Sequence, residues 1–151
     1  MPDAPILICY DDSESAKHAI EAARALLGPR RAIVLDVGPP LTPAESLAAI
    51  SPVVPGAAFE ELNTSEALSR ARVGAELARH AGFDAEARGG IGAPTWEDIV
   101  DVADEIDAAV IVLGSRGQTG ARELLDGSVS HEVAEHAGRP VLIVPPPRTG
   151  H

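Results

Sequence analysis

Residues 108–128 read AAVIVLGSRGQTGARELLDGS. The first six, AAVIVL, are apolar with no polar alternation, the pattern of a strand buried on both faces. The run ends at Gly114, and a glycine-rich stretch leads to Gly127 and Ser128, where a helix over about 128–137 is expected to begin. Strand, glycine loop and helix start in that order make a physical phosphate cradle. Glycine lets the backbone approach a ligand, and the free N–H groups and dipole of a helix N-terminus favour an anion. Ser128 and Ser130 can add hydroxyl donors. Read without a ligand, the same residues are a flexible connection ending in an ordinary serine cap.

The same grammar extends outward in both directions. Residues 5–10 (PILICY) read as a buried strand, followed by N-cap chemistry at Asp12-Ser13. Ala16, Ala19, Ile20, Ala23 and Leu27 then recur at helical spacing up to Gly28-Pro29. Residues 32–37 (AIVLDV) predict a second strand, and Thr42-Pro43-Ala44-Glu45 a capping box opening a short helix through Ile50. A long helix is expected over 59–81, closed by Gly82, then a half-buried strand over 83–88. After the loop 89–94, Thr95 can cap a helix whose apolar stripe is Ile99, Val102, Ala103 and Ile106. The fourth strand is 108–113, and the fifth, 140–144, ends at three prolines. Strands alternating with helices, and apolar on both faces, define an α/β fold: one open, doubly wound parallel sheet of five strands within a single domain, 1–151. Such sheets bind ligands beyond the C-terminal ends of their strands.

Composition narrows the function. The 151 residues carry 23 Asp and Glu against 12 Lys and Arg, a net charge of −11, which argues against sequence-independent phosphate binding and so against nucleic acid. Aromatic residues are 3% of the chain, too few for base-stacking platforms, so the core must be built from Val, Ile, Leu and Ala. No apolar run approaches a bilayer span, the N-terminus lacks a basic region before its apolar patch, and a single Cys excludes a disulfide framework. These features predict a cytoplasmic protein with no membrane partner.

The glycine spacing is specific. It is not a P-loop, since Lys17 is the only lysine, and no G-x-G-x-x-G follows the first strand. Gly114, Gly117, Gly127 and Ser128 instead fill every fixed position of a G-2x-G-9x-G-[S/T] pattern. In this the chain resembles the ATP-binding branch of the universal stress protein family. ILICYDDSES (6–15) is similar to that family's opening strand and Asp-Gly-Ser turn, VLDVGPP (34–40) to its second strand, Gly92-Ala93-Pro94 to its Gly-x-Pro, and GRPVLIVP (138–145) to its closing strand.

The resemblance implies strand order 3-2-1-4-5, an adenine nucleotide alpha hydrolase-like arrangement, with ATP or a related adenine nucleotide across the ends of strands one and four. It implies that Asp11 faces the adenine–ribose part and that Val37 contacts adenine through its backbone. Gly114 and Gly117 would pass under ribose and the first phosphates. Gly127, Ser128 and Val129 would hold phosphate oxygens through backbone N–H groups and the Ser128 hydroxyl, with Arg116 in reach of phosphate or turned to water. It also implies an antiparallel homodimer through the fifth strand, Arg139 to Val144, an uncovered apolar edge of the kind that pairs. Two acids depart from the family pattern. Asp12 stands where a small residue is usual, and Asp126 precedes Gly127. Each can repel phosphate or help hold a divalent cation, Mg²⁺ or Mn²⁺; for Asp12, capping the first helix is the preferred reading.

Other residues carry less. No two of His18, His80, His131, His136 and His151 have metal-ligand spacing, so no metal site is expected. Ser128 and His131 lie one turn apart but lack a nucleophile elbow. The six acids of 97–107 read as a solvated helix face, Cys9 and Trp96 as packing residues. Three functions follow: a nucleotide-binding regulatory protein in the stress response, a slow ATPase drawing on Asp11, Asp12 or Asp126, and a ligand-free interaction module. The complete signature disfavours the third. The absence of a convincing general base disfavours the second, and no catalytic residue is assigned.

Overall fold

The computed structural model describes residues 4–37, 56–89, 96–115 and 128–148. Nine elements follow in order: β1 (Ile6–Tyr10), α1 (Glu14–Leu27), β2 (Arg31–Asp36), α2 (Gly56–Ala81), β3 (Asp84–Arg88), α3 (Trp96–Ile106), β4 (Ile111–Gly114), α4 (Ser128–His136) and β5 (Val141–Val144). The five strands form one sheet in the order β3-β2-β1-β4-β5, and every pairing is parallel. The expected fold class and strand order are therefore those observed. The expected short helix over 42–50, the Gly92-Ala93-Pro94 turn, the Thr95 cap and the loop over 116–127 lie outside the described residues.

β1 is the axis of the sheet. Its side chains alternate between two apolar layers, and all five are buried. Ile6, Ile8 and Tyr10 meet Ala16, Ala19, Ile20 and Ala23 of α1 and Ala75 and Ala78 of α2. Leu7 and Cys9 face the other way, toward Ile99 and Ala103 of α3 and Val133 of α4. Helices thus cover both faces. Their contact residues are mostly alanine, which lets helix backbones lie close to the strands and explains a core with so few rings. Burying a large aliphatic side chain is worth about 1.5–3 kcal/mol, so β1 anchors the fold.

The local signals that shape α1 can be traced. The Ser13 hydroxyl oxygen accepts from the Ala16 N–H at 3.0 Å and caps the helix. Gly28, at φ 75°, closes it through its N–H to the Arg24 carbonyl. The cap is Ser13 and not Asp12, which corrects the reading of Asp12 as the helix cap. Asp12 itself adopts φ 65°, a left-handed conformation that small residues reach most easily, and Asp more readily than most others.

The chain steps from one side of β1 to the other between β3 and β4. β1 and β4 run side by side in the register Leu7↔Ile111 and Ile8↔Val112 and end together at Tyr10 and Gly114. That reversal of strand order is where an open α/β sheet leaves a crevice beyond its strand ends.

Candidate functional site

The end of β1 is a compact polar turn. Asp11 is buried at 1% exposure, and its Oδ1 accepts the Ser13 N–H at 3.0 Å. The Tyr10 hydroxyl donates to Asp12 Oδ1 at 2.8 Å. Lys17 Nζ lies 3.7 Å from the same oxygen and 3.5 Å from Glu14, one ammonium shared by two carboxylates. Burial first, and the bond to Asp12 second, push the Tyr10 phenol well above its ordinary range, so the hydroxyl keeps the proton it donates.

β2 ends beside this turn. The Val37 N–H donates to the Tyr10 carbonyl at 2.8 Å, which leaves Val37 able to offer a ligand only an acceptor. Just before it, the fully buried Asp36 accepts a forked pair from Arg70, Nε at 2.7 Å and Nη2 at 3.1 Å. The two planar groups match, so a charge that burial would otherwise penalise is held in place.

β4 ends against α1. A Cβ on Gly114 would lie 2.8 Å from Ser15 Oγ and 3.1 Å from the Ala16 backbone nitrogen. The glycine is therefore needed for strand and helix to approach, whatever ligand is bound. Ser15 Oγ and the Ser115 N–H both donate to the Val144 carbonyl, at 3.4 and 2.8 Å, which ties the ends of β4 and β5 to the first turn of α1.

α4 starts at the same end of the sheet, because it leads from the end of β4 to the start of β5. Ser130 is buried in its first turn, and Val129 packs on the layer that also holds Val37. The two helix starts differ in charge. Glu14 lies in the first turn of α1, next to Asp11 and Asp12, whereas the first turn of α4 holds no acid. An anion thus meets the α4 dipole without an opposing carboxylate from that turn.

Of the residues singled out in the sequence, Asp11, Val37, Gly114, Ser128, Val129 and Ser130 lie at this end of the sheet. Arg116, Gly117, Asp126 and Gly127 lie outside the described residues. The Tyr10–Asp12 bond and the Asp36–Arg70 fork were missed. Asp36 was visible as an acid inside an apolar run, but its partner lies 34 residues away, beyond any local signal.

Away from the site, Cys9 is buried as expected, and desolvation raises its thiol, which makes it a packing residue. Trp96 stacks on His136 with centroids 4.5 Å apart. The acidic face of α3 is more engaged than a solvated face: Glu105 pairs with Arg88, and Asp104 and Asp107 with Arg139. His131 Nε2 turns along its helix to Glu135 at 3.3 Å. The ligand atoms of Glu132, Glu135 and His136 gather within 4.8 Å of one another on the surface of α4. Among the described residues no helix is long and apolar enough to cross a membrane.

A parallel five-stranded sheet whose strand order reverses between β1 and β4 defines an open, doubly wound α/β domain. The profile of the universal stress protein family matches residues 4–145. Universal stress protein YxiE of Bacillus subtilis is 33% identical over 144 residues, covering 92% of this chain and 97% of its own. Among solved structures, protein MJ0577 of Methanocaldococcus jannaschii superposes with a TM-score of 0.71 at 27% identity, over 99% of this chain and 100% of its own. The universal stress protein of Archaeoglobus fulgidus in complex with dAMP superposes with a TM-score of 0.60 at 23% identity, over 95% and 99% of the two chains, and so shares the fold. The chain belongs to the universal stress protein family.

Proposed function

We propose that this domain binds an adenine nucleotide, ATP foremost, at the C-terminal ends of β1 and β4, and acts in the cytoplasm as a nucleotide-dependent regulatory module of the stress response. One observation carries the reading: the complete Gly114, Gly117, Gly127, Ser128 spacing spans the connection from the end of β4 to the start of α4, whose first turn holds no acid. The triphosphate belongs at the α4 end, held by Gly127, Ser128, Val129 and Ser130, with Arg116 in support. Gly114 and Gly117 run beneath the ribose, and the base lies toward Asp11 and Val37. Mg²⁺ or Mn²⁺ enters as part of the nucleotide. A dAMP complex in a protein of the same fold is in keeping with this assignment.

The chemistry of Val37 gives the site a base preference. With its N–H held by the Tyr10 carbonyl, recognition rests on its own carbonyl. That acceptor suits the exocyclic amine of adenine and repels the exocyclic oxygen of guanine. Calorimetric titration tests the reading: ATP is expected to bind at least about tenfold more tightly than GTP, the discrimination of one good hydrogen-bonding contact. Equal affinities would remove Val37 from the site.

A further inference from the structure

We propose that Arg70 is a positioning residue for the base: through its fork onto Asp36 it sets the end of β2 from which Val37 meets adenine. The inference rests on the nucleotide reading above and adds to it a residue on a helix outside the glycine signature.

The placement follows from how α2 lies on the sheet. Ala67, Ala71, Ala75 and Ala78 form its buried stripe. Gly74 lies in the same stripe, and a Cβ there would come within 2.8 Å of the Tyr10 ring and 2.9 Å of Val34 Cγ1. Helix and sheet therefore touch at Tyr10 and Val34. Arg70 stands one turn earlier on α2, and Asp36 stands two residues further along β2, on the face that carries Val34. The fork joins the two at that level, with Nε at 2.7 Å and Nη2 at 3.1 Å from the carboxylate oxygens.

The sheet itself holds this point less firmly than the rest of β2. Pairing with β3 runs only to Leu35↔Arg88, whereas pairing with β1 runs to Tyr10↔Asp36. Asp36 thus has a strand neighbour on one side, and α2 supplies the second hold through its side chain. Successive side chains of a strand point to opposite faces, so Asp36 turned to α2 sends Val37 to the other layer, where it lies with Leu35 and Val129. The Val37 N–H is fixed by the Tyr10 carbonyl, and the residue before it is fixed by the fork. The bond to Asp36 foremost, with the charges of Glu66 and Asp11, keeps the Arg70 guanidinium protonated against burial. Arg70 therefore bears on both residues assigned to the base, on Asp11 by charge and on Val37 through Asp36.

Packing alone does not call for such a pair. Buried charges lose their water, and apolar residues of similar volume often serve stability as well or better. What the fork adds is direction: two parallel bonds fix the plane of a carboxylate, which a point charge does not.

Calorimetry with the full chain tests this using ATP and GTP, each against wild type, Arg70→Lys, and the double variant Asp36→Val with Arg70→Met. Lysine keeps the charge and loses the fork. The double variant removes both charges and leaves no buried carboxylate behind. In both, helical circular dichroism is expected to persist while the ATP-to-GTP affinity ratio falls from at least about tenfold to about threefold or less, chiefly through weaker ATP binding. A ratio kept at the wild-type value in either folded variant, or equal losses for both nucleotides, would overturn the proposal. Should the double variant not fold, the lysine variant alone decides. A wild-type chain that binds neither nucleotide, or both equally, removes the reading beneath the proposal and the proposal with it, and the wild-type titrations show which has failed.

Discussion

Tyr10 is the residue on which the site turns. Its ring lies against Gly74, its hydroxyl on Asp12, and its carbonyl on the Val37 N–H, so one side chain and its backbone link α2 to the ends of β1 and β2. Burial and the Asp12 carboxylate raise its phenol, and burial with Asp11 raises the neighbouring Cys9 thiol. The folded chain therefore keeps two protons that the unfolded chain releases, near pH 8.5 for cysteine and 10 for tyrosine, or about those values. Stability is complete below that range and falls as pH rises through it, by about 1.4 kcal/mol per pH unit for each group. Tyr10 is the only tyrosine in the chain, so phenolate absorbance reports on it alone. Phenolate is expected to appear only together with loss of helical circular dichroism. Phenolate forming near pH 10 with the helices intact would contradict the buried seat of Tyr10. The strand that carries Tyr10 could be read from its apolar run. Its partners could not, because Gly74 and Asp12 look like an ordinary helix glycine and a helix cap until the chain is folded.

At the scale of elements, boundaries depart from the hydrophobic pattern where the backbone closes on itself. The apolar run over 108–113 predicts a strand from its first residue, yet β4 begins at Ile111. Ala108 instead donates to the Ala103 carbonyl and ends α3, with Asp107 at φ 51° in the position glycine usually takes. No glycine marks that stop, so the sequence shows no helix end there. α2 likewise starts at Gly56, three residues before Phe59, where its pattern became periodic. Gly114 shows the opposite case, a residue legible as special for an incomplete reason. The signature points to a ligand, while the structure supplies a packing reason in the backbone of Ser15 and Ala16. Gly114→Ala is expected to cost about 1–3 kcal/mol by overpacking. In a chain of this size that lowers the melting temperature by roughly 2–4 °C per kcal/mol. The melt is measured without nucleotide, and an unchanged midpoint would return the glycine to a purely ligand-facing role.

Across the whole molecule, the two sheet edges differ. β3 exposes Asp84 and Glu86, charges that discourage pairing, whereas β5 is apolar and leaves Ile143 38% exposed. We propose a second copy of the chain as the partner of the β5 edge. Ile143→Lys is expected to convert a dimer into a monomer in light scattering after gel filtration, and an unchanged mass would place the interface elsewhere. Charge is divided as unevenly as the edges. Residues 114–151 hold equal numbers of acids and bases, so the whole acidic excess lies in residues 1–113. The end of the sheet follows the same division, with an acidic rim of Asp11, Asp12 and Glu14 at α1 and no acid in the first turn of α4. The open parallel α/β fold was accessible from the alternation of strands and helices, and its strand order only through the family resemblance that the glycine spacing carries. The rim was not, because it depends on how Asp11, Asp12, Glu14 and Lys17 share one turn. The central claim is that this end of the sheet holds an adenine nucleotide. Mass spectrometry of small molecules released from the purified protein tests it most directly. The account predicts one adenine nucleotide per chain, retained through purification or taken up from added ATP; a chain that carries none and takes up none would contradict it.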